Sequence, residues 1–330
     1  MEIEEKKDLA SSWFRNLRDQ FCKEFETLDG SSFERTKWNH SGSGGGEISL
    51  MKGNIFEKVG VNISTVSGEF KEDYRSNVSG TKDSPEYWAS GLSIVAHMNS
   101  PFVPAFHFNT RFIVTGKSWF GGGADMTPTY IYNDDTEDFH NSLKDACDKY
   151  NKNYYPDFKK NCAEYFFLPH RGEERGVGGI FFDHLTTDNW ETDFSFVRDV
   201  GLSFFKIVPH IINKRKDDNW TEEEKNKHKA HKRAPKVREI KALYNFGFLH
   251  IFLKRVCVFF KSIPYTTNSF DEVTLVPHFF PKVNDLNVNG SISYGVIFSP
   301  NRINYLTSCK NPSRLLCKKV EDLKLCIGQF

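Results

Sequence analysis

Three residues at alternate positions, His107, Asn109 and Arg111, hold the chemistry this chain offers. An imidazole can move protons near neutral pH, and an amide both donates and accepts hydrogen bonds. A guanidinium grips a carboxylate with a two-pronged fork. Ser93 and His97 lie upstream, and Asp125 follows the glycine run Gly121, Gly122, Gly123. A merely solvated face would more often carry Lys, Glu, Ser and Thr. This set suits a ligand that bears carboxylates and must exchange a proton.

These residues need elements to position them. Phe106, Phe108, Thr110, Phe112 and Val114 alternate with His107, Asn109, Arg111 and Ile113. That period of two predicts a strand with a phenylalanine face toward a core and a polar face opposite. Leu92, Ile94 and Ala96 alternate with Ser93, Val95 and His97, so a second strand puts Ser93 and His97 on one face. The three glycines let backbone approach a ligand closely and are expected to place Asp125 at a strand end or loop mouth. Pattern alone leaves a second reading open: an ordinary hairpin with a glycine turn and a structural histidine.

The 330 residues are long enough to bury a large core. A net charge of +1 gives no reason to expect nucleic acid or an anionic membrane as partner. Aromatic residues make up 15% of the chain, enough to line a cleft for a large flat apolar ligand as well as a core. Seven scattered cysteines without a Cys-x-x-Cys pair predict reduced thiols and no structural zinc. The opening MEIEEKKDLA shows no apolar signal core and no acid-poor transit pattern. The expected location is therefore cytoplasmic, with the mitochondrial intermembrane space as the alternative. The most apolar run, residues 242–260, contains His250, Lys254 and Arg255 and is rejected as a membrane span.

In chain order, Leu9, Trp13, Leu17, Phe21, Phe25 and Leu28 predict an amphipathic helix stopped by Gly30. Residues 41–46 read as a flexible glycine turn, 48–64 as a strand pair around Lys52, Gly53 and Asn54, and 67–87 as loop. Thr136 or Asp135 is expected to cap a helix buried through Phe139, Leu143, Ala146, Cys147 and Tyr150. Pro156 suits the first turn of the next helix. Residues 170–175 form a dense charged loop, either a local ion-pair network or a wall of an anionic-ligand pocket. Ile180 to Phe182 predict a short buried strand. Asp193 is expected to cap a helix that Pro209 ends or kinks, and 214–233 to be a charged, solvated helix or loop.

The strings GLSIVAH, HFNTR, SWFGGGADMTPTY, YYPDFKKNCAEYFFLPHRGEERGVGGIFFD and FVRDVG closely resemble the oxygen-dependent coproporphyrinogen III oxidases, as do GVNIS at 60–64 and the glycines at 42–46. The resemblance runs from the opening helix to about Arg215. It implies an α+β fold with a large antiparallel sheet flanked by helices on both faces, and a homodimer. It also implies conversion of two propionates of coproporphyrinogen III to vinyl groups, giving protoporphyrinogen IX in heme synthesis. Molecular oxygen is the co-substrate, with no metal and no organic cofactor. The substrate contacts fall on Ser93, Asn109, Thr110 and Arg111, the proton-transferring histidine on His107, and the pyrrole-facing acid on Asp125. The catalytic set is thus His107, Asp125 and Arg111. His97, His107, His140 and His170 match positions proposed as divalent-metal ligands in bacterial members, but their separation gives no ligand spacing.

The chain also departs from the pattern. Ser118 stands where the family has a first tryptophan, and His184 where it has a second aspartate. Beyond about Lys216 the expected Arg-Gly-Arg-Tyr-Val-Glu-Phe strand and Gly-Gly-Arg segment are missing, with HKRAPKVREI at 231–240 a faint echo. We take 1–330 as a single catalytic domain with a family-like core at 1–215. Residues 216–330 are either divergent or the product of a misread exon boundary. A catalytically impaired porphyrinogen- or heme-binding relative is the alternative function.

Overall fold

The computed structural model describes residues 1–232 apart from 71, 76–77, 82–83, 169–171 and 188, together with the strands at 295–299 and 302–306. Two units divide the chain, Met1–Leu253 and Lys254–Phe330. In the first, seven strands form one antiparallel sheet in chain order. They are β1 (Glu34–Asn39), β2 (Ser43–Met51), β3 (Phe56–Glu69), β4 (Glu86–Met98), β5 (Ala105–Val114), β6 (Ser118–Thr127) and β7 (Gly178–Leu185). The helices are α1 (Ile3–Asp29), α2 (Glu72–Arg75), α3 (Asn133–Asp148), α4 (Tyr154–Tyr165) and α5 (Trp190–Arg215), with a further helical segment at 222–232. The fold is α+β. In the second unit, β8 (Gly295–Ser299) pairs antiparallel with β9 (Arg302–Leu306). The apolar run at 242–260 and most of the 231–240 string lie outside the described residues.

One sheet face is the main core. Phe106, Phe108 and Phe112 of β5 meet Phe14, Leu17 and Phe21 of α1 and Phe204 of α5. Phe108 stacks on Phe204 at 4.9 Å, and Phe21 lies 5.9 Å from the same ring. The apolar stripe of α1 buries Leu17, Phe21 and Phe25 as predicted, but at its N-terminal end Ala10 and Phe14 are the fully buried residues and Leu9 is exposed. Gly30 stops that helix as expected, with φ of 82° and its N–H on the Glu26 carbonyl. The opposite face holds a smaller cluster of Val66, Ala89, Ile113 and Trp119. Phe70 and Val78, which flank α2, cover it.

Four local expectations need correction. Gly44, Gly45 and Gly46 are part of β2, paired with Val66, Thr65 and Ser64, rather than a turn. A Cβ on Gly46 would lie 2.7 Å from the Trp38 ring, which is why the strand carries glycine there. Helix α3 starts before Asp135, whose buried carboxylate instead binds Lys214 at 2.7 Å and Arg215 at 3.0 Å. Helix α5 is capped by Asn189, whose side chain accepts the Thr192 N–H. Asp193 lies inside α5 and accepts from the Thr187 N–H and hydroxyl. Pro209 does not end α5, because the last turn is tied through Lys214 and Arg215 to Asp134, Asp135 and Asp138 of α3. In segment 222–232, His228 is buried, with its ring nitrogens on Thr129 Oγ1 and the Met98 carbonyl.

The predicted strand pair around Gly53 is present, and Asp29 holds its connection. Its carboxylate accepts the N–H groups of Asn54, Ile55 and Phe56 at 2.8–3.0 Å. Burial would raise the Asp29 carboxyl, but these bonds and one from Ser31 bring it below its ordinary value. Asp29→Ala strands three backbone donors, so urea unfolding should show a loss of about 2 kcal/mol.

Candidate active site

The polar row of β5 points away from the phenylalanine core, as its alternation predicts. In the ladder, His107 lies opposite Val95 of β4 and Asp125 of β6. Asn109 lies opposite Ser93 and Gly123, and Arg111 opposite Gly91 and Gly121. Directly opposed residues share a face, so Ser93, His107, Asn109, Arg111 and Asp125 stand on one surface with glycines between them. On β7, Gly179 lies opposite Asp125 and Phe181 opposite Gly123.

The glycine run is therefore neither a turn nor a loop mouth. All three glycines lie inside β6, and Asp125 lies near the end of that strand, followed in it only by Met126 and Thr127. What demands glycine is the close approach of neighbouring groups. A Cβ on Gly121 would lie 2.7 Å from Asp183 Oδ1 and 2.8 Å from Arg111 Nε. The Arg111 side chain thus lies across bare backbone to reach β7. Its Nη2 meets Asp183 Oδ2 at 2.9 Å, and its Nη1 donates to Asn109 Oδ1 at 3.0 Å.

Asp125 is only 3% exposed. His107 Nδ1 is 2.9 Å from its Oδ1, and Arg175 Nη2 donates to Oδ2. Burial by itself would raise the carboxyl, but the charges of Arg175 and His107 outweigh it and hold Asp125 down to about 2. An ionised Asp125 can only accept, so the His107–Asp125 bond places the imidazole proton on Nδ1. The His97 ring stands perpendicular to the His107 ring, with centroids 5.7 Å apart.

Ser93, His107, Asn109, Arg111 and Asp125 are thus brought together. Thr110 is not with them, because its side chain turns to the helix-covered face, where it is buried. His140 is also elsewhere, bonded to the Val177 carbonyl and Tyr155 Oη at 2.9 Å each. Burial lowers its pKa. His170 lies outside the described residues. Among the described residues no cluster of three or more His, Cys, Asp or Glu side chains could hold a metal ion.

Two residues of the site were not singled out from the sequence. Arg175 belongs to the charged loop, and its pairing with Asp125 depends on a chain reversal at Gly176 and Gly178, with φ of 61° and 76°. The glycines of GVGG after the arginine are the sequence signal for this tight return. Asp183 becomes visible only with the β6–β7 register, which sets it beside Gly121.

The low Asp125 pKa has a stability consequence. Its folded pKa lies below the unfolded value, so it adds stability above about pH 4, and that is lost as pH falls toward 2. Urea midpoints at stepped pH should show wild type losing about 2 kcal/mol more than Asp125→Asn over this window.

Comparison with known proteins follows the same residues. Residues 10–252 match the family described as Coproporphyrinogen III oxidase. The oxygen-dependent coproporphyrinogen-III oxidase of Rickettsia akari (strain Hartford) is 52% identical over 231 residues, covering 67% of this chain and 83% of the relative. That of Rickettsia africae (strain ESF-5) is 50% identical over the same length and shares. That of Rickettsia bellii (strain OSU 85-389) is 50% identical over 229 residues, 66% of this chain and 82% of the relative. The match spans every strand of the large sheet and every residue of the polar face, and this chain belongs to the coproporphyrinogen III oxidase family.

Proposed function

We infer that this chain is an oxygen-dependent coproporphyrinogen III oxidase, an oxidoreductase of heme biosynthesis. The observation that carries this reading is the glycine-floored face joining His107, Asp125 and Arg111 within the matched span. In each half-reaction a propionate side chain loses its carboxylate as carbon dioxide and a β-hydrogen, and becomes a vinyl group. The two electrons released, with two protons, reduce one molecule of oxygen to hydrogen peroxide.

In this proposal the protein binds, orients and moves protons. Arg111 offers five N–H donors. Its bonds to Asn109 and Asp183 fix the plane of the guanidinium and leave donors for a substrate carboxylate. Asn109 and Ser93 lie beside it on the same face, and only the backbone of Thr110 is near. His107 is the proton-transfer group. With Nδ1 held by Asp125, its exchange with substrate runs through Nε2. The pyrrole-facing role that the resemblance gives Asp125 requires one of its oxygens to leave His107 or Arg175.

Homodimer formation and a cytoplasmic location are further parts of the proposal. The location draws on free thiols at Cys22, Cys147 and Cys162. No helix among the described residues is long and apolar enough to cross a membrane.

The test is aerobic and anaerobic turnover of coproporphyrinogen III, reading vinyl products by fluorescence after oxidation. Oxygen-dependent product with equimolar carbon dioxide and peroxide supports the oxidase. Tight binding without product in the full chain would select the porphyrinogen-binding alternative. In the active enzyme, His107→Ala should lower kcat at least about 100-fold. Arg111→Lys, which loses the planar fork, should raise KM about 10-fold or more in steady-state assays.

A further inference from the structure

We propose that Arg175 is a positioning residue of this enzyme: it pins the Asp125 carboxylate from the side away from His107, so that Asp125 acts on substrate only through the imidazole. The proposal rests on the oxidase reading and deepens it. It assigns a role to a residue in the 172–178 loop and moves Asp125 from direct contact to support.

The geometry carries the argument. Asp125 is almost fully buried, and each of its oxygens already has a donor, His107 on Oδ1 and Arg175 on Oδ2. Arg175 is itself 7% exposed, and its guanidinium carbon lies 3.8 Å from the centre of the Phe166 ring. The cation is thus clamped between an aromatic face and a carboxylate, with no freedom to serve as a mobile substrate clamp. The turn after it is fixed as well. A Cβ on Gly176 would lie 2.5 Å from the Met126 carbonyl and 2.6 Å from Thr127 Cα, so the loop lies directly on β6.

Without Arg175, Asp125 would be a buried carboxylate with one partner and one uncompensated oxygen. Such a group turns toward other donors or takes up a proton. Either change frees His107 to exchange its tautomer and rotate. The other groups around the pair cannot substitute. His97 faces it from β4 and Arg111 stands on β5 with its fork on Asn109 and Asp183. Cys162 of α4 is buried nearby, with its thiol raised by burial and by the Asp125 charge. Glu174, beside Arg175 in the loop, is exposed and carries the wrong sign. Thr127 Oγ1 is 3.5 Å from Oδ1, at the limit of a hydrogen bond.

The experiment uses the full-length enzyme labelled with 15N-histidine. In wild type, His107 should show a single Nδ1–H tautomer. In Arg175→Gln that signal should become an exchanging mixture, while kcat falls about 100-fold and KM changes little. Arg175→Lys, which keeps the cation, should retain the tautomer and recover much of the rate. Millimolar guanidinium should partly restore Arg175→Ala. A folded Arg175→Gln enzyme with an unchanged His107 signal and unchanged kcat overturns the proposal. So does a folded Arg175→Lys enzyme that has lost both the single His107 tautomer and the rate relative to wild type, a readout that needs no folded Arg175→Gln. A wild-type chain that binds coproporphyrinogen without converting it defeats the oxidase reading instead, and leaves the tautomer measurement standing.

Discussion

A buried carboxylate remains an anion only where hydrogen-bond donors or cations stand against it, and the organisation of this site follows from that requirement at Asp125. Two donors reach it from two directions. One is His107, its register partner on β5, and the other is Arg175, from a loop fifty residues later in the chain. The first depends on a ladder that neither slips nor bulges between Ala105 and Val114. A slip of one residue would exchange the phenylalanine and polar faces entirely. The phenylalanines packed under α1 and α5 therefore fix the register that sets the His107–Asp125 distance. Core packing and site geometry are two consequences of one strand alternation.

Glycine does a different job in β6 from the one it does in the following loop. In β6 its value is the missing Cβ, since Arg111 and Asp183 meet above Gly121 where a side chain would otherwise stand. In the loop its value is positive φ at Gly176 and Gly178, which turns the chain back over β6 and delivers Arg175. Glycine in a strand interior weakens the strand. Here β6 is held between β5 and β7 on both sides, which offsets that loss.

This contrast explains what the sequence disclosed and what it concealed. The alternation of β4 and β5 is a local period of two, so the faces of Ser93, His107, Asn109 and Arg111 were legible without a structure. The stop at Gly30 and the strand pair around Gly53 are local signals as well. The glycine run of β6 was misplaced because Gly-Gly-Gly serves a turn and a crowded strand equally well. Only the cross-strand neighbours Arg111 and Asp183 tell them apart. Asp135 and Asp193 were plausible caps by residue type, but tertiary partners, Lys214 with Arg215 and the Thr187 backbone, claimed their carboxylates. Of the two readings for Pro209, ending or kinking the helix, the first is excluded because the ion pairs that hold the last turn of α5 come from α3. Arg175 was legible only as one member of a charged loop, read as an ion-pair network or a pocket wall, since nothing within ten residues of it reveals Asp125.

The pairing of Arg111 with Asp183 bears on how a carboxylate ligand can both bind and leave. An arginine alone on a glycine floor would present its whole charge to an incoming propionate, and the product would face the same grip. Asp183 is partly exposed and lies on the same guanidinium, so it neutralises part of that charge while orienting the fork. His184 reinforces this arrangement. Its φ of 53° lets its N–H bond back to Asp183 Oδ1, and its ring stacks on Trp119 at 4.8 Å. The carboxylate of Asp183 is thereby held from its own strand while its other oxygen meets Arg111. Affinity for a substrate carboxylate is the difference between what the guanidinium gives it and what Asp183 already receives. The arrangement favours a ligand held by several modest contacts across a broad face over one anchored by a single strong ion pair. A macrocycle with several propionates has that distribution of charge.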